Sequence, residues 1–432
     1  MAQVALDDHE EIERCLASGE LTRALRLSGS LLAAEPGNVR AQVLHATGLM
    51  ASGDWAGAAS RLQQVVDSPE APYAAKPRLA ACLMRLGDYA GALAPWRMTL
   101  AERADDFVQR LGYAECLLLT GDADAALPQF FRAVCDAQKA GRWLSDASTP
   151  PHLRERVRAA MATIDQGRHA LFQGVLDRHV AAFGADAMQR VRRALAVHLG
   201  IEPAEGGDPR QKSLFFHVPG LPTTPYFDRA LFPWYAELEA AAPAIREELL
   251  DVLDARAPLV PFLGDTDAET TEPYLGGDPR NRAWDAYFLH RHGRRFDEHL
   301  DRCPRTARTL SQVPLTVVRD HAPEVLFSVL APGTHIKPHH GVTNTRVVTH
   351  LPLVIPDGDC RLVVGGEAHA WQQGRCITFD DTFLHEAWNR TPERRVVMIL
   401  DTWNPYLTEP ECIALTDLIE QIGEFNVRAA AG

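Results

Sequence analysis

Apolar positions along this chain follow two rhythms, one in the first third and another in the last. Through residue 140 small and apolar residues recur with helical spacing, and the spacing itself repeats: Gly19, Gly53, Gly87 and Gly121 stand 34 residues apart. Each is followed by an acidic residue and, five positions on, by Ala24, Ala58, Ala92 or Ala126. A fixed period of this length predicts stacked helical hairpins, three to four in number. Glycine supplies the left-handed turn, and alanine lets the paired helices approach. Pro36 and Pro69 fall where a second helix would end. Beyond residue 320 the rhythm changes to short apolar runs bounded by Gly, Pro and Asp. Residues 325–330, 346–355, 360–364, 376–381 and 395–400 read as strands, and such a series predicts a sandwich or barrel.

The middle of the chain is helical. Ser148-Thr149-Pro150-Pro151 reads as a helix start, followed by apolar helical spacing from Leu153 to Ile164 and from Ala187 to Leu199. Glu202 to Pro209 is the strongest boundary signal, and a further helix is expected from Tyr235 to Leu253, outside the β-rich core. The expected organisation is therefore multidomain α plus β: repeats over 1–140, a helical bridge and linker over 141–209, and a β-rich domain over 210–432.

Composition narrows the class. With 432 residues and 46% apolar content, two domain-sized cores can be buried. A net charge of −13 with no basic stripe argues against nucleic acid as a partner. No apolar run approaches the roughly 18 residues of a membrane span, and Met1 to Asp8 carries no secretory leader. Eight scattered cysteines read as free thiols in a reducing cytosol, so a cytoplasmic protein is expected.

The candidate chemistry lies between Ser328 and Arg395. His339 follows the 325–330 strand, His385 stands 46 residues later ahead of a turn at Arg390–Glu393, and Arg395 opens the next strand. Two histidines so spaced can meet on facing strands inside a sandwich or barrel. If the strands flanking that turn pair antiparallel, Arg395 returns close to the level of His385. A guanidinium fork suits a buried carboxylate, and the distal carboxylate of 2-oxoglutarate fits. Imidazoles with open coordination positions suit Fe(II), which must also hold a 2-oxo acid and dioxygen. The carboxylate that usually completes such a set, two residues after the first histidine, is replaced by Gly341.

The segment resembles the aspartyl/asparaginyl β-hydroxylases, whose metal is held by two histidines with glycine at the usual acidic position. The match runs through Pro338-His339-His340-Gly341, Thr343-Asn344-Thr345-Arg346, His350-Leu351, Gly374-Arg375-Cys376, Phe379-Asp380-Asp381, His385-Glu386-Ala387-Trp388-Asn389 and Arg395, and extends over residues 210 to 425. The resemblance implies a double-stranded β-helix of the jelly-roll or cupin type with flanking helices. It implies Fe(II) on His339 and His385, 2-oxoglutarate and dioxygen as cosubstrates, and Arg395 and Ser328 on the distal carboxylate. His350 and Trp284 would line the cosubstrate pocket, and Arg346 would face the substrate. Two positions depart from the family pattern: Val348 stands where a second arginine is frequent, and Asn404 replaces a histidine between Trp403 and Pro405. The amino-terminal repeats resemble tetratricopeptide repeats, a platform for peptide or protein partners. The leading expectation is β-hydroxylation of an aspartyl or asparaginyl residue in a polypeptide. A hydroxylase of a free or carrier-bound amino acid or other small metabolite is the alternative, and a non-catalytic adaptor with a degenerate barrel the third.

Overall fold

The computed structural model describes residues 8–204, 207–264, 271–278 and 280–431. Residues 1–7, on which the leader reading rests, and residues 205–206 in the Glu202–Pro209 boundary lie outside them. The chain forms two compact units, 1–168 with 425–432, and 169–424.

In the first unit, helices α1 (Asp8–Ala17), α2 (Leu21–Ala34), α3 (Val39–Ser52), α4 (Trp55–Gln63), α5 (Ala75–Arg85), α6 (Tyr89–Glu102), α7 (Phe107–Leu119) and α8 (Ala123–Lys139) pack as consecutive hairpins. The four repeat glycines sit between paired helices with φ from 78° to 90°, a conformation costly for any residue with a Cβ. The four repeat alanines are buried. The acidic residue after each glycine has a structural job in three repeats: Asp54, Asp88 and Asp122 cap the next helix, accepting from the backbone N–H three residues on at 2.8, 2.9 and 3.0 Å. Glu20, one methylene longer, makes no such bond. A cap of this kind contributes about 1 kcal/mol.

The second unit carries β1 (Val260–Pro261), β2 (Leu275–Gly276), β3 (Trp284–Arg291), β4 (Arg294–Arg295), β5 (Val325–Leu330), β6 (Thr334–His339), β7 (Arg346–Val354), β8 (Cys360–Val364), β9 (Glu367–His369), β10 (Ile377–Phe379), β11 (His385–Asn389) and β12 (Arg395–Trp403). They form two antiparallel sheets, one ordered β1-β3-β5-β12-β7-β10 with β4 on β3, the other β2-β6-β11-β8-β9. Strands β5, β7 and β12 are buried along almost their whole length because both faces are covered. Phe327, Val347, Leu351, Val396 and Met398 point outward onto Leu238, Ile245 and Leu249 of the helix Tyr235–Asp254. Each such fully buried side chain contributes about 1.5–3 kcal/mol, so this helix is a principal clamp on the larger sheet. The inward face, with Val348, Leu330 and Val397, meets Ile336, Leu362 and Ala387 of the smaller sheet.

One expectation is corrected. The strands flanking the 390–394 turn do not pair: β11 bonds to β6 and β8, whereas β12 bonds to β5 and β7 in the other sheet. The turn is a crossover between sheets, held by the buried Asn389, whose Nδ2 donates to the carbonyls of Leu330 at 3.1 Å and Glu393 at 2.7 Å. Arg395 therefore reaches the cavity from the wall opposite His385.

Among the described residues no helix is long and apolar enough to cross a membrane.

Candidate functional site

His339 ends β6 and His385 begins β11, neighbours within one sheet rather than facing strands, and the two are direct cross-strand partners with ring centroids 4.0 Å apart. Backbone carbonyls fix both rings: Nδ1 of His339 bonds to the carbonyl of Lys337 at 2.8 Å, and Nδ1 of His385 to that of Phe383 at 3.0 Å. A carbonyl only accepts, so each Nδ1 carries the proton and each Nε2 keeps its lone pair. Burial, reinforced by His339, lowers the His385 pKa to about 3, so the ring is neutral at physiological pH. Two neutral imidazoles that each keep an Nε2 lone pair, on adjacent strands, are a donor pair of the kind a transition metal can take.

The glycine two residues after the first histidine has a steric reason. Gly341 lies against Asp381, and a Cβ at residue 341 would overlap the Asp381 carboxylate. An acidic side chain at 341 would thus compete with a carboxylate delivered from the neighbouring segment. Asp381 is buried, and its Oδ1 has no hydrogen-bond partner. Among the described residues no third His, Cys, Asp or Glu converges with the pair closely enough to form a metal-binding set.

A cavity of about 210 Å³ opens between the sheets, lined by residues of both. At one end lies Arg395, 1% exposed, with its guanidinium carbon 4.6 Å from the Trp371 ring centroid. Its Nη1 reaches the Ser328 hydroxyl at 3.4 Å and its Nε has no partner. Burial lowers its pKa to about 10, which leaves it cationic at neutral pH. Trp284 Nε1 also donates to the Ser328 oxygen, at 3.0 Å. The hydroxyl accepts twice and keeps its own proton to give. Buried cations are ordinarily paired, so a guanidinium with no carboxylate partner among the described residues, beside a free O–H, can receive a carboxylate from outside the chain.

His350 projects from β7 into the same cavity. Its Nδ1 accepts from Trp371 Nε1 at 3.3 Å, and burial, with Arg395 nearby, holds its pKa far below the usual imidazole range. Trp284 stacks on Phe262 at 3.9 Å between centroids and stands 6.5 Å from the His339 ring. All seven residues singled out from the sequence line this one cavity.

Arg346 is held differently. Its Nη1 donates to Asp401 at 3.0 Å and approaches Asp381 at 3.5 Å. Asp381, Asp401 and Glu324 were not singled out from the sequence. Asp401 had a readable signal, as an acid next to an apolar strand, and Asp381 falls within the matched run Phe379-Asp380-Asp381, but only the register brings it to Gly341. Asn404 is buried and structural: it donates to the carbonyl of Asn344 and accepts from Tyr406 N–H, each at 3.1 Å.

Residues 239–405 match the family described as aspartyl/asparaginyl beta-hydroxylase. The mouse aspartate beta-hydroxylase domain-containing protein 1 is 32% identical over 267 residues, which cover 58% of this chain and 69% of that protein. The chain belongs to the aspartyl/asparaginyl β-hydroxylase family. Within the family's reach it also resembles an ornithine lipid ester-linked acyl 2-hydroxylase of Rhizobium tropici, 34% identical over 45% of this chain and 66% of that protein. The human aspartyl/asparaginyl beta-hydroxylase is 31% identical over 61% of this chain but only 32% of its own length. The chain thus spans from a third to just under two thirds of these two relatives. Of solved structures, a thermophilic TPR protein of Thermus thermophilus aligns with 36% of this chain and 80% of its own at TM-score 0.29 and 22% identity.

Proposed function

We propose that this protein is a hydroxylase that uses Fe(II), 2-oxoglutarate and dioxygen, built on a double-stranded β-helix. The observation that carries the reading is the pairing, within one cavity, of two imidazoles whose Nε2 atoms keep their lone pairs and a buried guanidinium with no carboxylate partner among the described residues. Bound iron and 2-oxoglutarate supply oxidation of a C–H bond by dioxygen, releasing succinate and carbon dioxide.

The chain's own residues do the positioning. His339 and His385 hold the metal through Nε2, while the Lys337 and Phe383 carbonyls fix their tautomers. Arg395 and Ser328 take the distal carboxylate, and Trp284 orients the serine hydroxyl. His350, neutral and held by Trp371, forms part of the cosubstrate wall. The apolar surfaces of Leu326, Ile399 and Phe262 exclude water from the reacting centre.

The substrate is a polypeptide residue of the aspartyl/asparaginyl type in the first reading, with the repeat unit as its docking platform. A small metabolite or acyl substrate is the second reading, supported by Val348 and by the similarity to an acyl 2-hydroxylase. Anaerobic titration with Fe(II) and 2-oxoglutarate tests the shared core: the wild type is expected to develop the visible charge-transfer band of the chelate, and His385→Ala to lose it with its fold intact. A correctly folded, iron-loaded wild type without the band overturns the proposal.

A further inference from the structure

The two ends of the cavity carry opposite electrostatics. Register places Val348 opposite Asp401, and Phe379 on its other side. Asp401 N–H bonds to the Glu324 carbonyl, and Glu324 N–H returns to Asp401 Oδ2 at 3.0 Å. Glu324, Asp401, Val348 and Phe379 thus form one rung of the larger sheet, facing inward. Leu326 and Ile399, paired with each other, form the next rung toward Arg395. Arg346 sits two residues beyond Val348 on the same face.

This end therefore holds three carboxylates, from Asp381, Asp401 and Glu324, and one guanidinium already bonded to two of them. His292 meets Oε1 of Glu324 through its backbone N–H at 2.7 Å and its Nδ1 at 2.8 Å, and the Glu324 side chain lines the cavity. A substrate carboxylate here would meet more like charge than Arg346 offsets, a juxtaposition that costs several kcal/mol. A substrate cation would be pressed against the guanidinium. A neutral carbonyl suits both: its oxygen can accept from Arg346, whose contacts use Nη1 alone, and an attached N–H can be accepted by Glu324. Its aliphatic part packs on Val348, Leu326 and Ile399.

We propose that the substrate end of the cavity receives an uncharged carbonyl group, amide or ester, beside the carbon that is oxidised and excludes a carboxylate there, with Asp401, Glu324 and Val348 setting the specificity. This rests on the function proposed above and names its substrate chemistry. An amide would come from a side chain such as asparagine, an ester from a linked acyl chain.

The test loads the full-length protein anaerobically with Fe(II) and 2-oxoglutarate and titrates three probes: a blocked asparaginyl tripeptide, its aspartyl counterpart and a short-chain acyl ester. The readout is the shift of the visible iron–cosubstrate band, independent of turnover. At least one neutral probe is expected to shift the band, and which one identifies the source, while the aspartyl peptide binds about tenfold or more weakly. With the titrations run at about pH 8, where Glu324 is ionised, Val348→Arg is expected to narrow or reverse that ratio by about tenfold, and Glu324→Gln, which removes one like charge at constant shape, to narrow it less. Equal or tighter binding of the aspartyl peptide by the wild type overturns the inference, as does silence from both neutral probes. Absence of the band before any probe is added overturns the proposed function, and this inference with it.

Discussion

Arg395, buried, and Arg346, about one-eighth exposed, lie on the inward face of one sheet at opposite ends of one cavity, yet the chain treats them in opposite ways. Arg346 is neutralised internally, by Asp401 at 3.0 Å and by Asp381 at 3.5 Å. Arg395 has an aromatic ring, a serine hydroxyl and an unpartnered Nε, but no carboxylate among the described residues. Burying an unpaired charge costs several kcal/mol, which a fold sustains where a ligand later supplies the counter-charge. The difference teaches that burial of an arginine does not mark a binding site; burial without an internal partner does.

Replacing each arginine by methionine sharpens the contrast, because the two variants should fail in different experiments. Arg346→Met leaves Asp401 and Asp381 buried without their cation and is expected to lower stability by about 3–5 kcal/mol in denaturant unfolding. Its affinity for 2-oxoglutarate should change little. A fully stable Arg346→Met protein would mean that the guanidinium is held for substrate rather than for structure. Arg395→Met is expected to leave the ligand-free protein as stable as wild type or slightly more so, since an uncompensated charge is removed. Its 2-oxoglutarate affinity should fall by roughly 30-fold or more, the equivalent of about 2–5 kcal/mol, in calorimetric titration. Unaltered affinity would remove Arg395 from the cosubstrate site.

Ligand linkage gives a third comparison. With Fe(II) present and 2-oxoglutarate at about 100 times its dissociation constant, wild type should gain about 2.7 kcal/mol of stability, and Arg395→Met should gain far less at the same concentration. Equal gains in the two proteins would place the cosubstrate elsewhere.

The smallest effect concerns the acidic end. Burial, reinforced by Asp401, holds the Glu324 carboxyl at about 7. Its unfolded value is about 4.3, so the folded state binds the extra proton between those limits. The contribution of Glu324 to stability is therefore present at low pH and is lost as pH rises through about 7. The difference in stability between Glu324→Gln and wild type should grow in favour of the variant as pH rises from about 5 to about 8. Thermal unfolding across that range reads it, and a constant difference would show that Glu324 does not titrate there.

Much of this organisation was legible before folding. The 34-residue glycine period gave the hairpins of the first unit, because φ near +80° is cheap only for glycine. The runs 325–330, 346–355 and 360–364 became β5, β7 and β8 almost residue for residue. The strand Thr334–His339, which delivers the first histidine, was not anticipated, because its polar composition carries no apolar run. The antiparallel return of Arg395 was misjudged because a five-residue turn serves a hairpin and a crossover equally well; Asn389, reaching the Leu330 and Glu393 carbonyls, commits it to the crossover.

By itself the sequence determined the local quantities: turn positions, helix caps, strand runs and the identities of His339, His385 and Arg395, all of which depend on residues near in the chain. Only the tertiary structure decided which charges meet. Asp381 lies 40 residues from Gly341 and Asp401 lies 55 from Arg346, and strand register and sheet-on-sheet packing bring them within reach. Electrostatic pairing depends on distance in space and on the water excluded around it, so the division of this cavity into an unpaired cationic end and an acidic end exists only once the two sheets have closed.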